Sequence, residues 1–234
     1  MAASEYALVH GARHMRATLE TWQHDPWPLL RRWLAVAAAI GVLLLCGVCV
    51  VASLVKPDLG FNYVPSLPQG SELGHIADLV GRNSIVLALH AVACIAGFIA
   101  GVSLPLAAEK RQGISRWVHE RARPVAFAWV LLVTCFSLVT QTLLLGVIGS
   151  TLAESLRISP AELILLTAPH ALLELTAVFL PLAAWTIAGR RGDWDQLLAA
   201  TAVTVTIAIP MLIASAAWEV HVWPQLLEAA SPVY

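Results

Sequence analysis

Residues 33–55 read WLAVAAAIGVLLLCGVCVVASLV, 23 residues without one charged side chain. An α-helix rises about 1.5 Å per residue and the hydrocarbon core of a bilayer is about 30 Å thick, so about 20 such residues cross it. This stretch therefore predicts a transmembrane helix. It also predicts that the chain is an integral membrane protein.

Four further stretches have the same length and apolar character. The predicted spans are residues 33–55, 84–107, 125–149, 163–188 and 197–222. None alternates polar and apolar residues as the strands of a membrane β-barrel do. The sequence thus predicts an all-α polytopic bundle of about five spanning helices, which forms a transmembrane domain over residues 33–223. Residues 224–234 are predicted to be an extracytoplasmic tail.

The overall composition agrees with a membrane protein. Hydrophobic residues make up 59% of the chain and charged residues only 12%, whereas soluble domains carry about a quarter charged residues. The net charge of -1 gives no indication of nucleic-acid binding. The four cysteines all lie inside apolar stretches, where free cysteine behaves as a small apolar residue.

Residues 1–32 are polar and lack the pattern of a cleaved signal peptide, so the first span is expected to remain as an anchor. Residues 6–22, with Arg13 and Arg16, predict a short amphipathic helix on the inner membrane surface. A disordered tail is the alternative, because the apolar face of this segment is short.

The positions of arginine and lysine predict the orientation, because cytoplasmic segments retain positive charge. With the N-terminus in the cytoplasm, eleven of the 14 basic residues fall in cytoplasmic segments and three outside. The cytoplasmic ones are Arg13, Arg16, Arg31, Arg32, Lys110, Arg111, Arg116, Arg121, Arg123, Arg190 and Arg191; the others are Lys56, Arg82 and Arg157. The expected location is the cytoplasmic membrane of a bacterium or archaeon, with the C-terminus outside.

Two connections carry structural signals of their own. Prolines and glycines occupy the first part of the external connection over residues 56–83, and Ser71 followed by Glu72 predicts the start of a short helix on the outer surface. The internal connection over residues 109–123 is basic, so it is expected to rest on lipid headgroups.

Polar residues inside the predicted spans are the candidate functional residues. Glu174 and Glu219 lie within the fourth and fifth spans, and a buried acid in lipid has to be protonated, paired or hydrated. In the predicted topology His90, Gln141 and His170 all lie about 9–12 Å below the outer boundary. The sequence predicts one polar cluster in the outer half of the membrane: His170, Glu174, Glu219, Asn83, His90 and Gln141.

His170 and Glu174 are four residues apart and therefore share one face of a helix. Pro169 removes a backbone donor immediately before them and is expected to bend that helix. Three interpretations of the cluster remain open. It can be structural, through hydrogen bonds between helices; it can line a proton, ion or solute path; or it can hold a metal in an intramembrane hydrolase. No pattern in the sequence identifies a catalytic residue, a cofactor or a metal ligand.

The segment PHALLELTAVFLPLAAW, residues 169–185, resembles the motif of the stage II sporulation protein M family of membrane proteins. Pro169, His170 and Glu174 match that motif, and Ala171 stands where the family favours glycine. GRNSIVLALHAVACIAGFIAG, residues 81–101, is similar to the family's second helix with only Asn83 of an asparagine pair. AAWEVHVWP, residues 216–224, resembles its closing glutamate and proline.

The resemblance implies a multi-helix membrane protein without established catalysis, acting as a scaffold or a subunit of a complex. Its expected partners are the lipid bilayer and other membrane or cell-envelope proteins, including a second copy of the chain. The alternative is a transporter or channel that uses His170, Glu174 and Glu219. An intramembrane metalloenzyme is a third hypothesis.

Overall fold

Serine and glycine residues set the limits of several helices in the computed structural model, which describes residues 3–57, 71–103 and 112–233. The side chains of Ser71 and Ser159 accept hydrogen bonds from the backbone N–H groups three residues on, at 3.2 and 3.1 Å. These N-caps satisfy N–H groups that the first helical turn leaves unpaired. Gly192 ends a helix in the left-handed conformation with φ of 82°.

The described chain forms helices throughout. They are α1 (Ala3–Trp22), α2 (Trp27–Leu54), α3 (Glu72–Phe98), α4 (Gly113–Ser155), α5 (Pro160–Arg191), α6 (Leu197–His221) and α7 (Trp223–Ala230). A π-helical turn, Ile99–Ser103, extends α3, and a 3-10 turn, Trp194–Gln196, precedes α6. Five of these segments are long and apolar enough to cross a membrane. The prediction of an all-α, multi-pass membrane bundle is confirmed.

Several helices begin earlier than the apolar stretches that predicted them. α3 is one continuous helix from Glu72, rather than a surface helix followed by a span from Ser84. α4 begins at Gly113 instead of Val125, so the expected basic connection is already helical there. The apolar stretches did not indicate these starts, because the first turns of both helices are polar. An apolar stretch ends at the hydrocarbon boundary, whereas the helix continues beyond it. Residues 58–70 and 104–111, which hold part of each predicted connection, lie outside the described residues.

The two ends of the bundle differ in charge. Arg31 and Arg32 near the start of α2 and Arg190 and Arg191 at the end of α5 define what we call the arginine-rich end. The opposite end contains the end of α2, the start of α5 and the helix α7. α2 and α4 run in the same direction, because Ser150 of α4 donates a hydrogen bond to the Val55 carbonyl at the end of α2.

α5 is the central helix and packs against α2, α3 and α6. Residues 176–185 of α5 are buried on all sides, with Phe179 and Leu180 at 2% and 0% exposure. Every face of the helix therefore packs against protein in this region. Pro169 and Pro181 lie inside the helix and leave backbone carbonyls without their usual intrahelical donors.

Side chains of neighbouring helices supply hydrogen bonds to three α5 carbonyls near these prolines. His90 Nδ1 of α3 donates to the Val178 carbonyl at 2.7 Å, and Cys94 Sγ donates to the Pro181 carbonyl at 3.1 Å. Ser215 Oγ of α6 donates to the His170 carbonyl at 2.9 Å. None of the three is a carbonyl that Pro169 or Pro181 deprives of its donor, since those lie four residues earlier. The bonds instead join the backbone of α5 to α3 and α6.

Two glycines bring the end of α3 close to aromatic rings at the arginine-rich end. A Cβ added at Gly97 would lie 2.6 Å from Trp185 Nε1, and one at Gly101 would lie 2.5 Å from Trp194 Cγ. Trp185 and Trp194 pack edge to face with centroids 6.3 Å apart. This arrangement fills the bundle with aromatic and aliphatic side chains at that end.

The N-terminal segment is helical, as its amphipathic pattern predicts, and α1 packs across the arginine-rich end. Gly11 lies against Leu198 and Phe98, and His14 Nδ1 is 4.0 Å from a carboxylate oxygen of Asp195. Trp22 packs edge to face on Trp33 with centroids 5.5 Å apart. The helix is thus anchored to the bundle at both its middle and its end.

α4 lies at the periphery and packs mainly against α2. Close approach occurs where Gly47 faces Thr142 and where Gly146 faces Val51, because added Cβ atoms would lie 2.9 and 2.5 Å from those side chains. Most of the remaining apolar surface of α4 is exposed in the single chain.

Candidate functional site: a polar cluster between three helices

Glu174 is the centre of the polar cluster near the opposite end of the bundle. α5 places its carboxyl group where it interacts with Asn83 of α3 and Ser215 of α6. The carboxyl group of Glu219, one turn beyond Ser215 on α6, is also close enough to interact with it electrostatically. Three spanning helices therefore contribute polar groups to a single site.

A second set of charges extends the cluster toward the membrane surface. Glu219 interacts with the guanidinium of Arg82, which also forms an ion pair with Asp78 one turn earlier on α3. Arg82 and Asp78 are largely exposed, so water screens their interaction. The exposure of the cluster thus increases from the partly buried carboxyl group of Glu174 to the exposed ion pair at the end of the bundle.

His170 is buried, with 5% exposure, but its ring is turned toward a different neighbour. The ring packs edge to face on Trp223 of α7, with centroids 5.6 Å apart. Among the described residues, neither His170 Nδ1 nor Trp223 Nε1 has a hydrogen-bond partner. The backbone of His170 joins the cluster instead, because its carbonyl accepts the Ser215 hydroxyl that also contacts Glu174.

The structure places the other two predicted residues away from Glu174. His90 donates to the Val178 carbonyl and packs on the ring of Phe179 at 5.4 Å, deeper in the bundle. Gln141 Nε2 donates to Ser137 Oγ on its own helix at 3.1 Å. Gln141 lies apart because α4 packs on α2, so equal depth in the membrane does not bring it to the same site.

Ser215 links α5 and α6 but is not one of the predicted cluster residues. The spacing indicates that Ser215 belongs to the cluster, because it lies four residues before Glu219 and therefore on the same helical face. Ser215 has 0% exposure and bonds a carbonyl 45 residues away. A small hydroxyl residue one turn from an intramembrane acid is a pattern that can reveal such a contact.

The arrangement can perform two kinds of chemistry. Amide, hydroxyl and carboxyl groups can exchange hydrogen bonds across helices and hold them in register. Two neighbouring carboxyl groups can also share or exchange a proton, since their charges repel when both are ionised. Within residues 3–57, 71–103 and 112–233, no three His, Cys, Asp or Glu side chains come together in a way that could hold a metal ion.

The fold and the cluster define a multi-pass helical membrane protein with a partly buried acidic site. Comparisons with protein-family models, curated proteins and solved structures found no match to this chain.

A double-mutant cycle tests whether Asn83 and Glu174 interact. Measured by unfolding in mild detergent, Asn83→Ala and Glu174→Ala should show a coupling energy of about 0.6–1.7 kcal/mol, the range for polar contacts between membrane helices. The matched control is Gln141→Ala with Glu174→Ala. That pair should be additive within about 0.3–0.5 kcal/mol, since Gln141 contacts its own helix. Equal coupling in the two cycles would contradict the assignment.

Proposed function

We propose that this protein is a scaffold or subunit of a larger membrane assembly, and that α4 is its docking helix. The surface of α4 carries this proposal. Only 6% of the most apolar segment of α4 is buried within the chain, against 39% for α5 and 33% for the segment that includes α6. α4 contributes little to the core of the single chain, yet it is the longest helix described.

The exposed surface of α4 has a pattern suited to helix packing. Val125, Trp129, Leu132 and Phe136 are between 63% and 73% exposed and recur every three or four residues. This spacing forms one continuous stripe, the arrangement by which helices pack along each other. Large aromatic side chains are also typical anchors of protein interfaces.

The length of α4 supports a docking role outside the membrane as well. Its 43 residues correspond to about 65 Å of helix, roughly twice the thickness of the hydrocarbon core. The helix therefore extends beyond the bilayer at the arginine-rich end, with Pro124 inside it. A helix that extends from the membrane offers a partner both an apolar and a polar surface.

The resemblance to the stage II sporulation protein M family favours the same function. Kinship with that family is part of this proposal and depends on Pro169, His170 and Glu174. Under it, the polar cluster holds α3, α5 and α6 in register, and the partners are membrane or cell-envelope proteins or a second copy of this chain.

Photocrosslinking in native membranes tests the docking helix. A photoreactive amino acid at Phe136 should give a protein adduct, because that side chain lies in the exposed stripe. The same amino acid at Leu89 of α3, which is 65% exposed, is the matched control and should give lipid adducts only. Identical lipid-only labelling at both positions would contradict the proposal.

A transporter or channel is the second candidate, favoured by the neighbouring carboxyl groups of Glu174 and Glu219. A path from this cluster to the arginine-rich end has to pass residues 176–185 of α5, which are buried among apolar side chains. Conduction would therefore require α5 to move relative to its neighbours. The scaffold requires no such movement, and we place it first.

The proposed location is the cytoplasmic membrane, with the arginine-rich end in the cytoplasm. A reporter enzyme fused after Tyr234 should then be active only outside the cytoplasm, and one inserted at Gln112 only inside, because basic segments are retained. Each fusion serves as the control for the other. Reversed activities at both positions would overturn the orientation.

A further inference from the structure

A groove of about 330 Å³ lies between α2 and α4 near the middle of the predicted spans. On its side toward the opposite end the two helices touch, with Gly47 against Thr142 and, one turn on, Gly146 against Val51. Its walls are almost entirely aliphatic, formed by Ile40, Leu43, Leu44, Leu138, Val139 and Leu143.

The register of α2 and α4 shows which of their residues lie at the same level toward the arginine-rich end. Ser150 bonds the carbonyl of Val55, a separation of 95 residues, and Gly47 faces Thr142 with the same offset. Continued toward the arginine-rich end, this offset places Arg32 level with residue 127 of α4. The preceding turns of α4 contain Arg121 and Arg123 in the sequence.

Arg32 lies nearer than Arg31 to the side of α2 that carries the groove. Ile40 and Leu44 are about 80° and 120° from Arg32 around the helix. Leu43 follows it by 11 residues, about three helical turns, so the two positions differ by only about 20° around the helix. Arg31 points to the other side, about 120° from Leu43 by the same geometry. Arg32 is exposed and forms no ion pair with any residue in the described part of the chain.

We propose that this groove binds one acyl chain of an anionic phospholipid, whose phosphate group lies at Arg32. The distance from Arg32 to Leu43 along α2 is about 16 Å, close to half of the hydrocarbon thickness of about 30 Å. An acyl chain that starts at the headgroup level therefore reaches the groove. Clusters of basic residues at the end of spanning helices are typical sites for anionic headgroups.

The shape of the groove favours a lipid chain over a partner helix. A transmembrane helix is about 10 Å wide with its side chains and packs along much of its length. Here the contact between α2 and α4 at Gly47 and Gly146 closes the groove before the opposite end. A flexible acyl chain can occupy this short groove with part of its length. Val139 and Leu143 of the groove continue the stripe of α4 along the helix, so the lipid site adjoins the surface proposed to dock a protein.

Lipid binding to the purified full-length chain tests the proposal. Dioleoylphosphatidylglycerol and dioleoylphosphatidylcholine are titrated in mild detergent, and bound lipid is counted by native mass spectrometry. The phosphatidylglycerol should bind more tightly, and Arg32→Gln should weaken it about fivefold, the effect of about one basic residue near a membrane surface. Arg31→Gln is the matched control, at the same depth on another side of α2, and should have a smaller effect.

A second pair of variants tests the groove itself. Val139→Trp fills it from an exposed position and should remove the tightly bound phosphatidylglycerol, whereas Leu144→Trp, on another face of α4, should not. Equal affinity for the two lipids, equal effects of Arg31→Gln and Arg32→Gln, or unchanged binding in Val139→Trp would overturn the proposal. A dimer that Val139→Trp abolishes, with lipid binding unaffected, would show that a second copy occupies the groove. If Val139→Trp does not fold, the two arginine variants still decide the outcome.

Discussion

The hydrogen bonds that neighbouring helices donate to the carbonyls of α5 are the constraint on which the rest of the structure depends. α5 is buried on all sides over residues 176–185, so its backbone there can bond only to protein groups. His90 and Cys94 of α3 donate to the carbonyls of Val178 and Pro181, and Ser215 of α6 donates to the carbonyl of His170. These bonds fix the rotation and depth of α5, and the rotation of α5 in turn decides where Glu174 points.

The two halves of the bundle are packed differently. Toward the arginine-rich end, aromatic rings of Trp185 and Trp194 fill the space that Gly97 and Gly101 leave open. Toward the opposite end, the Ser215 hydroxyl interacts with both the backbone carbonyl of His170 and the side chain of Glu174. The bundle is therefore closed and apolar over one half and polar near the surface of the other. α4 contributes little to either half, since only 6% of its most apolar segment is buried.

The membrane class, the spans and the helical N-terminal segment could be predicted from the sequence. The length of an apolar stretch and the spacing of apolar residues along a helix are both properties of the local sequence. The helix starts at Glu72 and Gly113 could not be predicted, since polar turns beyond the hydrocarbon leave no hydropathy signal. Of the six residues predicted to form one polar cluster, the structure brings Glu174, Glu219 and Asn83 together. Depth says nothing about which helices are neighbours, however, so the position of Gln141 against its own helix could not be foreseen.

Ion flux through the purified protein is the measurement that tests the central claim most directly, namely that the cluster around Glu174 holds helices together and does not conduct. Wild-type and Glu174→Gln chains are reconstituted in proteoliposomes, and proton, sodium and potassium flux is measured beside thermal stability in detergent. The account predicts no flux above empty liposomes in either protein and a mild stability change, because glutamine keeps the size of glutamate and its hydrogen bonds. A wild-type flux that disappears in a stably folded Glu174→Gln protein would contradict it.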